Sequence, residues 1–148
     1  NFEEAKKHIL KAEHNLEVFL YNKERGYYDW TINIGFYVIY HCFLAILVKY
    51  GYESRNQECT VSAIEYLKEQ GKIELDDRFI EALRSHAEIE ERQAHNASDL
   101  RELRENFQYG VSVEYKIGIW QLQKTCAELI DVAKDEVYKT KAGAAAQG

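Results

Sequence analysis

The sequence predicts an all-α fold, an up-and-down bundle of four or five helices, and three observations carry that prediction. Its 148 residues contain no proline, the residue that helix interiors exclude because it lacks an N–H and clashes with the preceding turn. Only eight glycines punctuate the chain, and Gly110, Gly143 and Gly148 fall near or beyond expected helix ends. Apolar residues recur at intervals of three and four along most of the length, the pattern of helices with one buried face. A chain of this size can bury enough surface to fold as one domain, expected over residues 1–140. The alanine- and glycine-rich tail 141–148 is expected to be frayed or foreign to the domain.

The first helix is predicted from Phe2 to Arg25. Phe2, Ala5, Ile9, Ala12, Leu16 and Phe19 form its apolar face, Lys6, Lys7, Lys11, Glu13 and Glu17 its wet side, and Gly26 ends it. The second, Asp29 to Tyr50, differs in kind: Trp30, Ile32, Ile34, Phe36, Val38, Ile39, Phe43, Leu44, Ile46, Leu47 and Val48 leave almost no polar face. Such a helix is either central in a bundle or in a membrane. Asn33, His41 and the tyrosine hydroxyls, all costly in lipid, favour the bundle, as do the amphipathic neighbours that need an apolar surface to cover. Asp29 suits an N-cap, and Gly51 a C′ position.

The third helix is predicted over Asn56 to Gln70, with Val61, Ile64 and Leu67 on one face and a stop at Gly71. The fourth begins near Asp76 and Asp77, acidic residues that complement a helix N-terminus. Its stripe is Phe79, Leu83, Ala87, Ala94 and Ala97. Leu100, Leu103 and Phe107 then form a displaced stripe, a phase shift that predicts a kink or short break at Asn96 to Asp99. The fifth helix is expected from Val113 to Lys139, with Ile117, Trp120, Leu122, Ala127, Leu129, Ile130, Ala133 and Val137.

Composition bounds the function. A hydrophobic fraction of 46% with 30% charged residues is that of a globular protein. The net charge of −6 excludes wrapping of long duplex DNA by bulk electrostatics, though not a small basic pocket. Cys42, Cys59 and Cys126 have neither finger nor CxxC spacing. They therefore read as free, buried apolar residues of a protein in the reducing cytoplasm. No signal peptide is visible.

Several catalytic patterns are missing. No glutamate stands three residues before any histidine, so the Glu-x-x-His pairs of di-iron bundles do not occur, and there is no HExxH, phosphate loop or GxSxG. His86 with Glu90 and Glu91 with His95 could each meet a metal across one helical turn, but they read more simply as surface ion pairs. No metal or cofactor is expected. Eleven tyrosines supply half-buried aromatic surface of the kind that suits cores, interfaces and base stacking alike. Asn33, Tyr37 and His41 lie four apart on one face of the second helix, either as a satisfied core network or as the lining of a cleft. Arg101 and Arg104, followed by Gln108 and Tyr109, form a cationic spot in an acidic chain. Arginine suits bidentate phosphate contact; an Arg101–Glu105 charge ladder is the plainer alternative.

The run Trp30-Thr31-Ile32-Asn33-Ile34-Gly35-Phe36-Tyr37-Val38-Ile39-Tyr40-His41-Cys42-Phe43-Leu44-Ala45-Ile46-Leu47, then Gly51-Tyr52-Glu53-Ser54, resembles the second helix and following turn of HEPN domains. Arg104-x-x-x-Gln108-Tyr109 resembles the second signature of that family, an arginine followed by a histidine or, in some branches, a tyrosine. The resemblance covers roughly residues 5 to 138 and implies an HEPN-like helical bundle that forms a homodimer. It further implies either a metal-independent endoribonuclease, including the toxin half of a toxin–antitoxin pair restrained by a nucleotidyltransferase, or a non-catalytic module that binds nucleotide, RNA or such a partner. In the nuclease branch the RNA 2′-hydroxyl attacks the adjacent phosphate and leaves a cyclic phosphate. Arg104 and Tyr109 would then take the catalytic positions, with Arg101, Asn33, Tyr37, His41 and Gln108 binding substrate. Tyr109 stands where a histidine is usual. Free tyrosine has a pKa near 10 against about 6.5 for histidine, a gap of roughly 5 kcal/mol in the availability of a base, unless His41 or His95 substitutes.

Overall fold

The computed structural model describes the backbone of residues 1–84 and 113–147 and the side chains of 1–84 and 118–139. These residues form helices, as expected. Helix α1 spans Phe2–Glu24, and the Asn1 side chain caps it by accepting from the Glu3 and Glu4 amides. Helix α2 spans Tyr28–Lys49. Its N-cap is Tyr27, not Asp29. The turn at Gly26 brings the chain into helical geometry early, so Asp29 lies inside the first turn and acts on the helix dipole rather than as a cap. Thr31 Oγ1 donates to the Tyr27 carbonyl at 2.8 Å.

Helix α2 closes in a Schellman motif. The Tyr52 amide donates to the Leu47 carbonyl at 2.9 Å and the Gly51 amide to Val48 at 3.0 Å. Gly51 takes φ 83°, a left-handed conformation open to residues without a Cβ. Helix α3 spans Gln57–Glu69, capped by the Asn56 side chain, which accepts from the Cys59 amide at 2.8 Å. A fourth helix, α4, is described over 77–84. The Asp76 carboxylate caps it by accepting from the Arg78 amide at 3.0 Å. Helix α5 spans Val113–Gln147, running past the end expected at Lys139 and through most of the expected tail. The kink expected at Asn96–Asp99 lies outside the described residues.

Long-range contacts fix the directions. Ala5 and Ile9 pack with Ala45 and Val137 in one cluster, and a Cβ on Gly35 would touch Phe19, so α1 and α2 are antiparallel. Leu122 meets Gly35 and Glu136 meets Lys49, so α2 and α5 run parallel, with α3 and α4 intervening in the chain. Pairs Lys23–Gln123 and Lys134–Glu13 tie α5 antiparallel to α1. Arg78 reaches Glu128 from α4, and Arg84 reaches Glu65 on α3.

The core lies around α2. Val38, Ile39, Cys42, Phe43, Ile46 and Leu47 are buried against Val61, Ile64 and Leu67 of α3, Phe79 and Leu83 of α4, and Cys126, Leu129 and Ala133 of α5. Cys42 and Cys126 are buried as expected, whereas Cys59 is exposed in the first turn of α3. Burial pushes the Cys126 thiol up to about 12 and raises Cys42 as well, so both remain protonated and inert. Helix α2 is long and apolar enough to cross a membrane by composition, with half of its most apolar stretch buried inside the bundle. That half is covered by the other helices; of the rest, Phe36 and Tyr40 pack partly against the core, and Trp30 and Tyr37 are exposed.

Candidate functional site

The outward side of α2 is the unusual surface of the molecule. Not one lysine, arginine, aspartate or glutamate occurs between Trp30 and Val48, so even the face turned away from the core carries no charge. Trp30 is 62% exposed and Tyr37 44% exposed. Asn33 is exposed beside them, and Phe36, Tyr40, His41 and Leu44 are half-buried. The sequence pattern that grouped Asn33, Tyr37 and His41 thus marks an outer stripe and not a sealed core network.

His41 is held at the edge of this stripe by α1. Its Nδ1 lies 3.2 Å from Nδ1 of His8, and the two rings meet edge to edge, with centroids 5.4 Å apart and planes inclined at 28°. Two charged imidazoliums could not face each other at this distance, so one ring donates its Nδ1–H to the bare Nδ1 of the other. Burial, then the neighbouring His8 and Lys11, lowers His41 to about 4. Burial also lowers His8, opposed by Glu4 one turn before it. Spacing within α2 alone could not reveal His8, which lies 33 residues away.

This pair makes an acid sensitivity. The unfolded chain protonates His41 near its ordinary 6.5, whereas the folded chain resists until about 4. As pH falls through that window the unfolded state takes up the proton first, so stability present above 6.5 is lost down to about 4. Urea unfolding of the wild type is expected to show this slope. His41→Gln is expected to flatten it, and an unchanged slope in that variant refutes the assignment.

A second polar feature escaped the sequence reading. Lys49, at the end of α2, has a side chain only 7% exposed, and its Nζ lies 3.8 Å from Glu136 Oε2 on α5. Among the described residues the ammonium has no hydrogen-bond acceptor, and it sits 4.8 Å from the centroid of the Tyr50 ring. Burial lowers its pKa, with Glu136 pulling the other way. Beside Glu136 opens a cavity of about 590 Å³ whose walls include Glu74, Asp135 and Lys139. Three carboxylates make it a poor seat for phosphate.

Of the residues expected to make the site, Asn33, Tyr37 and His41 are brought onto one face. Arg101, Arg104, Gln108 and Tyr109 lie outside the described residues, as do His86 and His95. Among the described residues no group of three or more metal-ligating side chains occurs. No curated protein matches the sequence. The family model for the HEPN domain matches residues 5–141.

Proposed function

Because the chain belongs to the HEPN domain family, whose function is nucleotide- or RNA-associated, we propose that it acts on RNA as a homodimer, as a metal-independent endoribonuclease of the toxin–antitoxin kind. The observation that carries the reading is the outer stripe of α2. A charge-free helix face that exposes Trp30 and Tyr37 offers aromatic area for a second subunit and for unstacked bases. In this reading Asn33, Tyr37 and His41 line a cleft shared by two subunits, and Arg101 and Gln108 hold substrate. Arg104 neutralises charge on the phosphate as the 2′-hydroxyl, losing its proton, attacks it and the P–O5′ bond breaks to release a protonated 5′-hydroxyl. The cellular setting is the cytoplasm, with a nucleotidyltransferase as the restraining partner and no membrane.

The full-length chain incubated with single-stranded RNA in EDTA is expected to produce cyclic-phosphate ends, and Arg104→Ala to abolish them. Tyr37→Ala is expected to weaken RNA binding by about 5- to 150-fold, the loss of one stacked base at about 1–3 kcal/mol. Intact RNA under these conditions removes the nuclease. A monomer at every concentration by light scattering removes the shared cleft.

Tyr109 favours a second reading. A phenol in the position of the general base leaves that step without a group poised near neutral pH. Binding of nucleotide or RNA, or docking of the nucleotidyltransferase, would then be the whole function. RNA bound but uncut, with affinity lost in Arg104→Ala, selects this reading.

A further inference from the structure

We propose that His8 and His41 form a two-imidazole site for a late first-row divalent cation, Zn²⁺ above all, that clamps α1 to α2. Zinc bonds imidazole nitrogen at about 2.0–2.1 Å in tetrahedral sites, which separates two neighbouring donor atoms by about 3.3–3.4 Å. The two Nδ1 atoms already stand 3.2 Å apart, so a cation could take the place of the shared proton with almost no movement of either helix. Pre-organisation of this kind is what a two-donor site requires, because no third protein ligand offsets the cost of ordering the first two.

The surroundings complete the case. Among the described residues neither ring makes another hydrogen bond, so no competing acceptor fixes an Nδ1 proton. Both histidines are half-buried, which leaves solvent access for the cation and for the waters that fill its remaining positions. Glu4, one helical turn before His8, places a negative charge close enough to act on that ring; Lys11 acts on His41 with the opposite sign. Nitrogen donors of this type select zinc, copper or nickel over magnesium or calcium. Each ring comes from a different helix, so the bound cation would bridge the α1–α2 seam and stabilise the folded state by mass action. The inference shares His41 with the RNA reading, but cleavage is measured in EDTA and zinc binding without RNA, so either can fail alone.

The test is calorimetric titration of the chelator-stripped full chain with ZnCl₂, with MgCl₂ as control. One Zn²⁺ per chain and no Mg²⁺ response are expected. His8→Gln and His41→Gln should each weaken zinc binding by about tenfold or more, a loss of about 1.4 kcal/mol. His14→Gln, Cys59→Ser, His86→Gln and His95→Gln should leave it unchanged. Imidazole ¹⁵N spectra of the wild-type chain guard against variants that unfold: zinc should shift both the His8 and the His41 Nδ1 resonances. Absence of binding, binding that survives both histidine variants, or unshifted Nδ1 resonances overturns the site.

Discussion

Phe43→Ala is expected to lower the unfolding free energy by about 3–5 kcal/mol. Phe43 is fully buried on α2, in the same cluster as Ile64 and Leu67 of α3, Phe79 and Leu83 of α4 and Leu129 of α5. Removing the ring therefore forfeits transfer energy and leaves a void in a cluster to which α2, α3, α4 and α5 all contribute. Collapse of one wall would pull a helix off its other contacts, so relaxation is small and the cost falls at the upper end for such a change. For a domain of this size the loss corresponds to a fall in Tm of about 10–15 °C. Urea or thermal unfolding followed by circular dichroism measures it. A loss below about 1 kcal/mol would show that α3 and α4 do not close over α2 in this way.

Gly35→Val is expected to cost about 3 kcal/mol, and the reason is a close approach of three helices. A Cβ at position 35 would lie 2.6 Å from Leu122 Cδ2, 2.9 Å from Leu122 Cγ and 3.0 Å from Phe19 Cε2. The Gly35 carbonyl also accepts a hydrogen bond from the Cys126 thiol at 3.2 Å, so α5 cannot retreat without loosening that contact. In Gly35→Ala the gain of about 1 kcal/mol in helix propensity competes with overpacking of about 1–3 kcal/mol, and a net loss is expected. Valine adds two further carbons and gains less propensity, so the clash dominates. Combining Gly35→Ala with Leu122→Ala should restore space, leaving the double variant more stable than the sum of the single losses by about 1 kcal/mol. Strict additivity would refute the contact.

Much of the secondary structure was legible because its causes are local. The face Ala5, Ile9, Ala12 and Phe19 follows from spacing alone, and all four residues are buried. Gly26, Gly51 and Gly71 mark helix ends because each takes a positive φ, a conformation that depends on the residue and its immediate neighbours. Asp29 shows the limit even of local reasoning: a good cap residue is displaced when the preceding turn starts the helix early.

Helix α2 shows a different limit. Periodicity identifies the inward side of a helix through the contrast between its faces, and a segment without charge from Trp30 to Val48 offers almost none. Trp30 and Trp120 are as apolar as Phe43, yet both lie outside. Only the positions of α1, α3, α4 and α5 decide which side of α2 is core and which is turned outward.

By itself the sequence determined the helical class, most helix ends and the family pattern along α2, since these depend on residues within a few turns of one another. The tertiary structure decided the parallel course of α2 and α5, the outward aspect of Tyr37, the meeting of His8 with His41 and the burial of Lys49 against Glu136. Each of these is a distance between atoms on separate helices. Such distances are set by how whole surfaces pack, and no local propensity encodes them.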